Sequence, residues 1–195
     1  MTTKKYFVIG ISGTTCSGKT TLVKKLQKAF KGTTTIHQDD YFLPVDDARH
    51  VKIPELNHIN WELLTSMDME KMRFDILNFI DCARNDPCVT GTRKPILILD
   101  GFLLFKCKTI VDLCDCKYFL TLDKEECWYR RNNREYDPAD VPGYFENVAW
   151  PEHLKYEAEL MKDTDLCSTI TFIDGSKPEE EIFQTVFREI KELVS

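Results

Sequence analysis

A glycine-rich segment near the start of the chain has the residue types and spacing of a phosphate-binding loop. Residues 13–20, GTTCSGKT, fit the pattern G-x-x-x-x-G-K-[ST]. Gly13 and Gly18 allow backbone angles that are closed to other residues, and they let the chain approach a phosphate closely. The N–H groups between them can form an anion nest at the positive end of a following helix. This phosphate loop (residues 13–20) therefore predicts a nucleotide site.

The end of the phosphate loop carries two side chains with further chemistry. Lys19 is placed to reach the β- and γ-phosphates, and the Thr20 hydroxyl is placed to ligate Mg²⁺. The four fixed positions should match by chance in roughly 1 of 100 chains of this length. An ordinary Gly/Ser turn before a helix is the alternative, but an apolar run precedes the loop and apolar residues follow it at helical spacing. The predicted nucleotide contacts here are Gly13, Thr14, Thr15, Cys16, Ser17, Gly18, Lys19, Thr20 and Thr21.

Acidic residues follow two further predicted strands. Asp39 and Asp40 come after a short strand that ends at His37, and Asp100 ends the apolar run over residues 95–99. Ligands of open α/β sheets bind at the carboxyl ends of the strands. Asp39 is therefore a candidate general base or magnesium neighbour, and Asp100 is a candidate magnesium ligand with Thr20. Turns that cap a helix or end a strand are the alternatives for these acids.

Three arginines fall within five positions of a helix predicted over residues 124–134. Arg130, Arg131 and Arg134 could clamp a transferring phosphoryl group, and Arg130 and Arg134 would share one helical face. The alternative is a solvated basic face that pairs with the two preceding glutamates. Because the protein is acidic overall, cations gathered near a phosphate site favour the functional interpretation.

Strands and helices alternate along the chain. This pattern predicts a single α/β domain over residues 1–195, with three layers, a parallel sheet of about five strands and helices on both faces. A helical region with its Met and Phe residues in the core is expected to begin at Trp61 and Glu62. Residues 85–92 are expected to form a surface connection, and His153 is expected at the surface of a helix that begins near Trp150.

Two segments without regular patterning are expected to border the site. Residues 43–60 are long for a plain connection and could close over a small substrate. The substrate segment is therefore placed at about residues 39–66. Residues 135–143 are rich in helix breakers, so a mobile lid segment is placed at about residues 134–147.

Composition excludes several classes of protein. A net charge of −6 argues against a general binder of nucleic acids or membrane surfaces, and no apolar run reaches the length of a membrane span. The eight cysteines contain no C-x-x-C pair and no Cys/His cluster with zinc spacing. The N-terminus lacks the apolar core of a signal peptide. We therefore expect a cytoplasmic protein with reduced thiols, most of them buried.

Together these motifs resemble the P-loop nucleoside kinases of the uridine kinase group, and most of all the nicotinamide riboside kinases. The resemblance is carried by GISGTTCSGKTTL, HQDDYF, MDMEKM, ILILDGFLLF, YFLTLDKEEC, RRNNREY, PGYFENVAWPEHLKY and IDGSKPEE, which span nearly the whole chain in order. It implies transfer of a phosphoryl group from ATP, with Mg²⁺, to the 5′-hydroxyl of nicotinamide riboside in NAD biosynthesis. It also implies possible use of nicotinic acid riboside.

The resemblance also implies roles for particular residues. Asp39 would be the general base and, with Thr20, would serve Mg²⁺. The family usually has Glu at the position of Asp100. Trp61 and Glu62 occupy the place of an aromatic–acid pair that binds the base and ribose, where the acid is usually Asp. Further contacts implied on the nucleotide side are Arg130, Arg134, Tyr136, Lys177, Pro178 and Glu179, and those on the substrate side are Asp40, Tyr41, Phe42 and Arg131.

Two other functions remain open from the residues alone. One is a kinase for another small hydroxyl substrate, such as uridine, cytidine or pantothenate, because only the pocket would differ. The other is a nucleotide-gated switch with negligible phosphoryl transfer. In the preferred interpretation the partners are ATP and nicotinamide riboside, with no nucleic acid or membrane, and the chain is a monomer or a weak homo-oligomer.

Overall fold

The computed structural model of the chain describes residues 6–82 and 95–194. The strands are β1 (Phe7–Gly13), β2 (Thr34–His37), β3 (Lys52–Ile53), β4 (His58–Ile59), β5 (Ile96–Asp100), β6 (Cys116–Thr121) and β7 (Thr171–Asp174). The helices are α1 (Lys19–Ala29), α2 (Met69–Cys82), α3 (Lys108–Val111), α4 (Lys124–Asn132), α5 (Trp150–Lys162), α6 (Thr164–Cys167) and α7 (Glu179–Val194). A π-helical segment, Phe145–Ala149, leads directly into α5.

Five strands form one parallel sheet in the order β2-β5-β1-β6-β7, and β3 and β4 form a separate antiparallel hairpin. In the register of the central strand, Ile11 lies opposite Asp100 of β5 on one side and opposite Tyr118 of β6 on the other. Parallel neighbours need long crossovers, and helices supply them here. The predicted fold class, an α/β domain with a parallel sheet of about five strands and helices on both faces, is confirmed.

Successive side chains of β1 point to opposite faces of the sheet and so define two cores. Ile9 and Ile11 pack in a cluster with the apolar faces of α1 and α7. Val8 packs on the other face, in a cluster that includes Met72 of α2 and Tyr156 of α5. A third, smaller cluster joins the lid segment to the residues around it and contains Leu122, Cys127, Tyr144, Phe145, Val148 and Ala149.

The helix after Trp61 begins later than predicted. Residues 61–68 form turns and one 3₁₀ turn, and α2 starts at Met69. Asp68 explains this start, because its Oδ1 accepts a hydrogen bond from the N–H of Lys71 at 2.9 Å, as an N-cap does. Core placement of every Met and Phe here is also wrong: Met72 is fully buried, whereas Phe74 is 63% exposed on the outer face of α2.

The helix that carries the arginines is shorter than predicted. α4 ends at Asn132, and Asn133 Nδ2 closes the end by donating to the carbonyl of Tyr129 at 2.7 Å. Arg134 lies beyond this end, so the prediction that Arg130 and Arg134 share a helical face is wrong.

Three other expectations concern the periphery of the domain. Among the six cysteines whose side chains are described, Cys114 and Cys127 are buried and four are partly exposed, so the thiols are less buried than expected. The predicted surface connection over residues 85–92 lies outside the described residues. Within residues 6–82 and 95–194, no helix is both long and apolar enough to cross a bilayer.

Candidate active site

A cavity of 640 Å³ opens at the carboxyl end of the sheet. Its walls come from four parts of the chain that lie far apart in sequence. They are the phosphate loop, the substrate segment, the turn after β5, and the end of α4 with the lid segment. This is the edge at which open α/β sheets bind ligands.

The phosphate loop crosses closely over the end of β6. The N–H of Thr14 donates to the carbonyl of Leu120 at 2.9 Å, and Gly13 has a φ of 132°. A Cβ at Gly13 would collide with the backbone of Leu120, so only glycine fits there. Gly18 has a φ of 93° and precedes the first residue of α1. Residues 15–21 line the cavity, so the positive N-terminal end of α1 and its free N–H groups lie at the cavity wall.

Lys19 is enclosed between the phosphate loop and two acids. Its Nζ donates to the carbonyl of Gly13 at 3.1 Å and to that of Thr14 at 2.7 Å. Burial lowers the pKa of Lys19, and the charges of Asp100 and Asp39 oppose this effect. The ammonium thus lies between the predicted site of the nucleotide phosphates and the two acids, Asp39 after β2 and Asp100 at the end of β5.

Asp39 follows β2 in a single 3₁₀ turn, Gln38–Tyr41, and lines the cavity. Its side chain is exposed to the cavity, while protein atoms enclose it on its other sides. This enclosure raises the pKa of Asp39, and the charge of Lys19 opposes the rise. A carboxylate with a raised pKa that opens onto a cavity has the properties of a general base.

Thr20 and Asp100 meet beside Asp39. Thr20 Oγ1 donates to Asp100 Oδ2 at 3.3 Å, and His37 Nδ1 lies 3.0 Å from the same oxygen. Mg²⁺ in kinases usually takes one or two carboxylates together with phosphate oxygens and waters. The hydroxyl of Thr20 and the carboxylates of Asp39 and Asp100 are oxygen ligands of this type. Within the described ranges, no cluster of three or more His, Cys, Asp or Glu side chains could hold a metal ion.

The three arginines occupy different surroundings. Arg130 Nη1 donates to the carbonyls of Cys16 at 3.3 Å and Gly175 at 3.2 Å, while its Nε donates to Glu126 at 2.6 Å. The sequence left two alternatives for Arg130, an ion pair with a glutamate or a place at the phosphate site. The structure shows both, because Arg130 pairs with Glu126 and also contacts the phosphate loop. Arg134 instead lies over the ring of Tyr136, with its Cζ 5.2 Å from the ring centroid.

Arg131 joins the substrate segment to the lid segment. Its guanidinium donates to both oxygens of Asp140, at 2.6 and 3.1 Å, and Nη2 also donates to Glu62 Oε1 at 3.2 Å. Arg131 is buried, and Glu62 is buried with it. Burial raises the pKa of Glu62, and the charge of Arg131 opposes the rise. The carboxylate predicted to contact ribose is therefore held in a buried ion pair.

Aromatic side chains line the substrate end of the cavity. Trp61 contacts Phe42 edge-to-face at a centroid distance of 5.7 Å, and Phe42 stacks on Phe102 at 6.3 Å. The ring of His50 packs against Trp61 from behind, at 4.7 Å. Tyr136 of the lid segment also lines the cavity, but its hydroxyl lies 3.3 Å from Cys16 Sγ, on the side of the phosphate loop. Flat aromatic surfaces of this kind can hold a heterocyclic base.

Two residues that the resemblance placed at the substrate lie elsewhere. The Tyr41 hydroxyl donates to Asp75 of α2 at 3.0 Å, and burial together with Asp75 raises the pKa of Tyr41 to about 12. Asp40 is exposed. Neither belongs to the cavity lining, whereas their neighbours Asp39 and Phe42 do. The 3₁₀ turn explains this, because it directs consecutive side chains to different sides.

A second cavity of 390 Å³ adjoins the first behind the phosphate loop. Cys16, Ser17, Gly18 and Thr21 line both cavities, and Arg130 does so as well. Lys177 and Glu179 line the second cavity, with Leu22 and Ile182 at its apolar side, whereas Pro178 is not among its lining residues. The segment expected near adenine thus lies at the far end of the phosphate loop from Asp39.

Sequence reasoning missed three residues of the site. Phe102 and Asp140 line the cavity, but neither was among the predicted site residues, and Asp140 carried no signal within a breaker-rich segment. His153 was expected at the surface, but it is partly buried, and its Nε2 lies 3.1 Å from Thr14 Oγ1. Burial, with Lys19 nearby, lowers the pKa of His153 to about 4. The spacing of His153 to the buried Tyr156 and Leu160 on α5 is the signal that could have found it.

Comparison with known proteins shows similarity over almost the whole chain. Residues 9–151 match a family model described as an AAA domain. The chain is 39% identical over 190 residues to human nicotinamide riboside kinase 1, covering 95% of this chain and 92% of the human protein. Human nicotinamide riboside kinase 2 is 36% identical over 191 residues, covering 94% and 80%. Nicotinamide riboside kinase of Schizosaccharomyces pombe is 23% identical over 199 residues, covering 84% of each chain.

A solved structure shares the fold. The unliganded sugar kinase from Janibacter sp. HTCC2649 superposes with a TM-score of 0.56 over 95% of each chain, at 12% sequence identity. At this identity the likeness concerns the arrangement of sheet and helices alone.

Proposed function

This chain belongs to the nicotinamide riboside kinase family, and we propose that it transfers the γ-phosphoryl group of ATP to the 5′-hydroxyl of nicotinamide riboside. One observation carries the proposal. The phosphate loop, the acids Asp39 and Asp100, and the pair Trp61–Glu62 all open into one cavity of 640 Å³. That cavity has a phosphate end, a proton acceptor and an aromatic end in the order that the reaction needs.

The nucleotide would bind along the phosphate loop, with its base toward Lys177 and Glu179. Backbone N–H groups and Lys19 would bind the β- and γ-phosphates, because both face the cavity from the loop. Thr20, Asp100 and Asp39 would hold Mg²⁺, which neutralises charge on the phosphates when bound. Arg130, fixed by the carbonyls of Cys16 and Gly175, adds positive charge beside the loop.

Asp39 would then act as the general base. It accepts the proton of the 5′-hydroxyl as that oxygen forms its bond to the γ-phosphorus and the bond to the β,γ-bridging oxygen breaks. ADP leaves with the bond electrons, and the proton remains on Asp39 until it exchanges with solvent through the open cavity. The raised pKa of Asp39 makes the carboxylate a better acceptor than an ordinary aspartate.

The riboside would lie between the substrate segment and the lid segment. Glu62 and Arg131 offer hydrogen bonds to ribose hydroxyls, and Phe42 and Trp61 offer faces to the base. Three acids, Glu62, Asp137 and Asp140, outnumber Arg131 and Arg134 at this end of the cavity, so a cationic pyridinium ring is attracted more than a neutral pyrimidine. We extend the proposal to nicotinic acid riboside as a second, weaker substrate and to a role in NAD biosynthesis.

A coupled kinase assay tests the proposal directly. Purified protein with ATP and Mg²⁺ is offered nicotinamide riboside, nicotinic acid riboside, uridine and cytidine side by side, and we expect nicotinamide riboside to have the highest kcat/KM. Asp39→Asn should lower kcat by about 10²–10⁴-fold, the usual contribution of general base catalysis. Asp46→Asn, an exposed acid of the same segment outside the cavity lining, is the matched control.

The assay also separates the alternatives. Preference for uridine or cytidine would overturn the substrate but keep the mechanism. Slow ATP hydrolysis that ignores every riboside would instead identify a nucleotide-gated switch. Near-normal turnover by Asp39→Asn would show that another group accepts the proton.

A further inference from the structure

The first turn of α5 brings an imidazole beneath the phosphate loop. His153 Nε2 lies 3.1 Å from Thr14 Oγ1, and the ring packs on Trp150 at a centroid distance of 5.2 Å. Thr14 is completely buried, and neither His153 nor Thr14 belongs to the lining of the two cavities. The bond therefore lies within the protein and is not a contact with substrate.

Thr14 is the point at which several parts of the site are joined. Its N–H donates to the carbonyl of Leu120 at 2.9 Å. Its carbonyl accepts from Lys19 Nζ at 2.7 Å and from the N–H of Ser17 at 3.3 Å. The hydroxyl, bound to His153, is its remaining polar group. A change in the Thr14 side chain would thus shift the Thr14 carbonyl that accepts the hydrogen bond of Lys19.

The imidazole suits this position because it is uncharged at neutral pH. Burial and the charge of Lys19 both disfavour the imidazolium, and the pKa of His153 falls to about 4. A neutral ring can share a hydrogen bond with the hydroxyl without placing a second positive charge beneath Lys19. Burying an unpartnered hydroxyl here would carry a desolvation cost.

We propose that His153 is a positioning residue of the phosphate loop, which holds the Thr14 hydroxyl and thereby keeps the Thr14 carbonyl and Lys19 in the arrangement that receives nucleotide phosphates. The inference rests on the proposed nucleotide site and deepens it. It makes α5 a support of the phosphate loop. It also predicts that loss of the bond weakens nucleotide binding more than riboside binding.

Two pairs of variants separate this role from simple packing. His153→Phe keeps a ring against Trp150 but removes the bonding nitrogen, whereas His153→Gln keeps a polar group that can reach Thr14. Thr14→Val removes the hydroxyl at constant shape, whereas Thr14→Ser keeps it. If the two residues act through one hydrogen bond, the double variant Thr14→Val/His153→Phe should bind the nucleotide no more weakly than the single variant with the lower affinity.

Calorimetric titration with ADP and Mg²⁺, in the absence of riboside, measures the effect. We expect His153→Phe and Thr14→Val each to raise the Kd of the nucleotide about three- to tenfold, the range of one lost hydrogen bond. His153→Gln and Thr14→Ser should stay within about threefold of the unaltered protein. The KM of the riboside should change less than that of ATP.

His58→Phe is the matched control. His58 packs on Tyr144 at the same centroid distance, 5.2 Å, and lies outside both cavity linings. Its replacement should leave nucleotide affinity unchanged. Near-UV circular dichroism checks that each variant is folded, and Thr14→Val, which removes the same hydrogen bond from the other side, still tests the proposal if His153→Phe does not fold.

Two results would overturn the inference. One is an unaltered nucleotide Kd in His153→Phe, and the other is full additivity of the two losses in the double variant. Because nucleotide binding is measured without riboside, these results are distinct from a failure of the proposed substrate. That failure would appear only in the kinase assay.

Discussion

Two carboxylates of the cavity show how surroundings decide what a residue can do. Burial raises the pKa of both Asp39 and Glu62. Asp39 faces Lys19 and opens onto the cavity, so it can exchange a proton with a substrate or with water. Glu62 is sealed against Arg131 and receives a hydrogen bond at 3.2 Å, so it suits fixed contacts. The same functional group thus serves proton transfer at one end and positioning at the other.

His153 should make the protein sensitive to acid. Its pKa is about 4 in the folded chain against 6.5 as the ordinary value, so the unfolded chain binds the proton more tightly. Its contribution to stability is therefore complete above about pH 6.5 and is lost as the pH falls toward 4. Between pH 7 and pH 5 this loss is at most about 2 kcal/mol.

Urea unfolding of the unaltered protein and of His153→Gln at pH 7, 6 and 5 measures this effect. Stability of the variant should fall less across that range, because glutamine does not titrate. Parallel pH dependence of the two proteins would show that the ring is solvated enough to keep its ordinary pKa.

The lid segment is attached to both of its neighbouring elements. Arg131 on α4 holds Asp140 through two hydrogen bonds, and the Tyr144 hydroxyl accepts the N–H of Trp61 at 2.9 Å. The substrate segment, α4 and the lid segment therefore meet around one buried ion pair. A change in that pair should therefore alter riboside binding more than nucleotide binding at the phosphate loop.

Asp140→Asn tests the attachment of the lid segment. Asparagine removes the negative charge that Asp140 presents to Arg131 and cannot accept both hydrogen bonds of Arg131, so Arg131 would turn toward Glu62. We expect kcat/KM for the riboside to fall about tenfold or more, with a smaller change in the KM of ATP. Steady-state kinetics with each substrate varied in turn measure the two effects.

Glu135→Gln is the control for Asp140→Asn, because Glu135 is an exposed acid of the same segment outside the cavity lining. It removes the same charge from the lid segment. Equal losses in the two variants would mean that the net charge of the segment matters and the buried pair does not.

At the scale of the whole molecule, the strand order places the phosphate loop centrally. β1 lies between β5 and β6, so the turns after β1, β2 and β5 converge at one edge of the sheet. α1 leaves this edge and packs against α7, with its N-terminus toward the cavity. A ligand there contacts several elements at once, and its binding should stabilise the folded chain as a unit.

Thermal unfolding with and without ADP and Mg²⁺ measures that linkage. Ligand at about 100 times its Kd should add about 2.7 kcal/mol to the free energy of unfolding. For a chain of this size that raises Tm by roughly 5–10 °C. Lys19→Ala should lose most of the shift at the same ADP concentration. An equal shift in Lys19→Ala would place the nucleotide away from the phosphate loop.

Some of this architecture was visible in the sequence because the signals are local. The phosphate loop is specified within eight residues, since glycines at fixed positions and a following Lys and Thr act through backbone geometry. The alternation of apolar strands with amphipathic helices likewise predicts a parallel sheet without any knowledge of contacts. Asp39 and Asp100 were identified because each lies at the carboxyl end of a predicted strand, and the carboxyl ends of parallel strands meet at one edge.

What only the tertiary structure decided depends on contacts between distant residues. The bond of His153 to Thr14 joins positions 139 residues apart, and that of Arg131 to Glu62 joins positions 69 apart. Periodicity does not state which helix face lies over which loop, so these pairs could not be read in advance. The 3₁₀ turn directs Asp39 and Phe42 into the cavity and Tyr41 toward α2. This arrangement also could not be predicted from the periodicity of the sequence. The sequence by itself thus determined the fold class and the phosphate loop, whereas packing determined which neighbouring side chains complete the site.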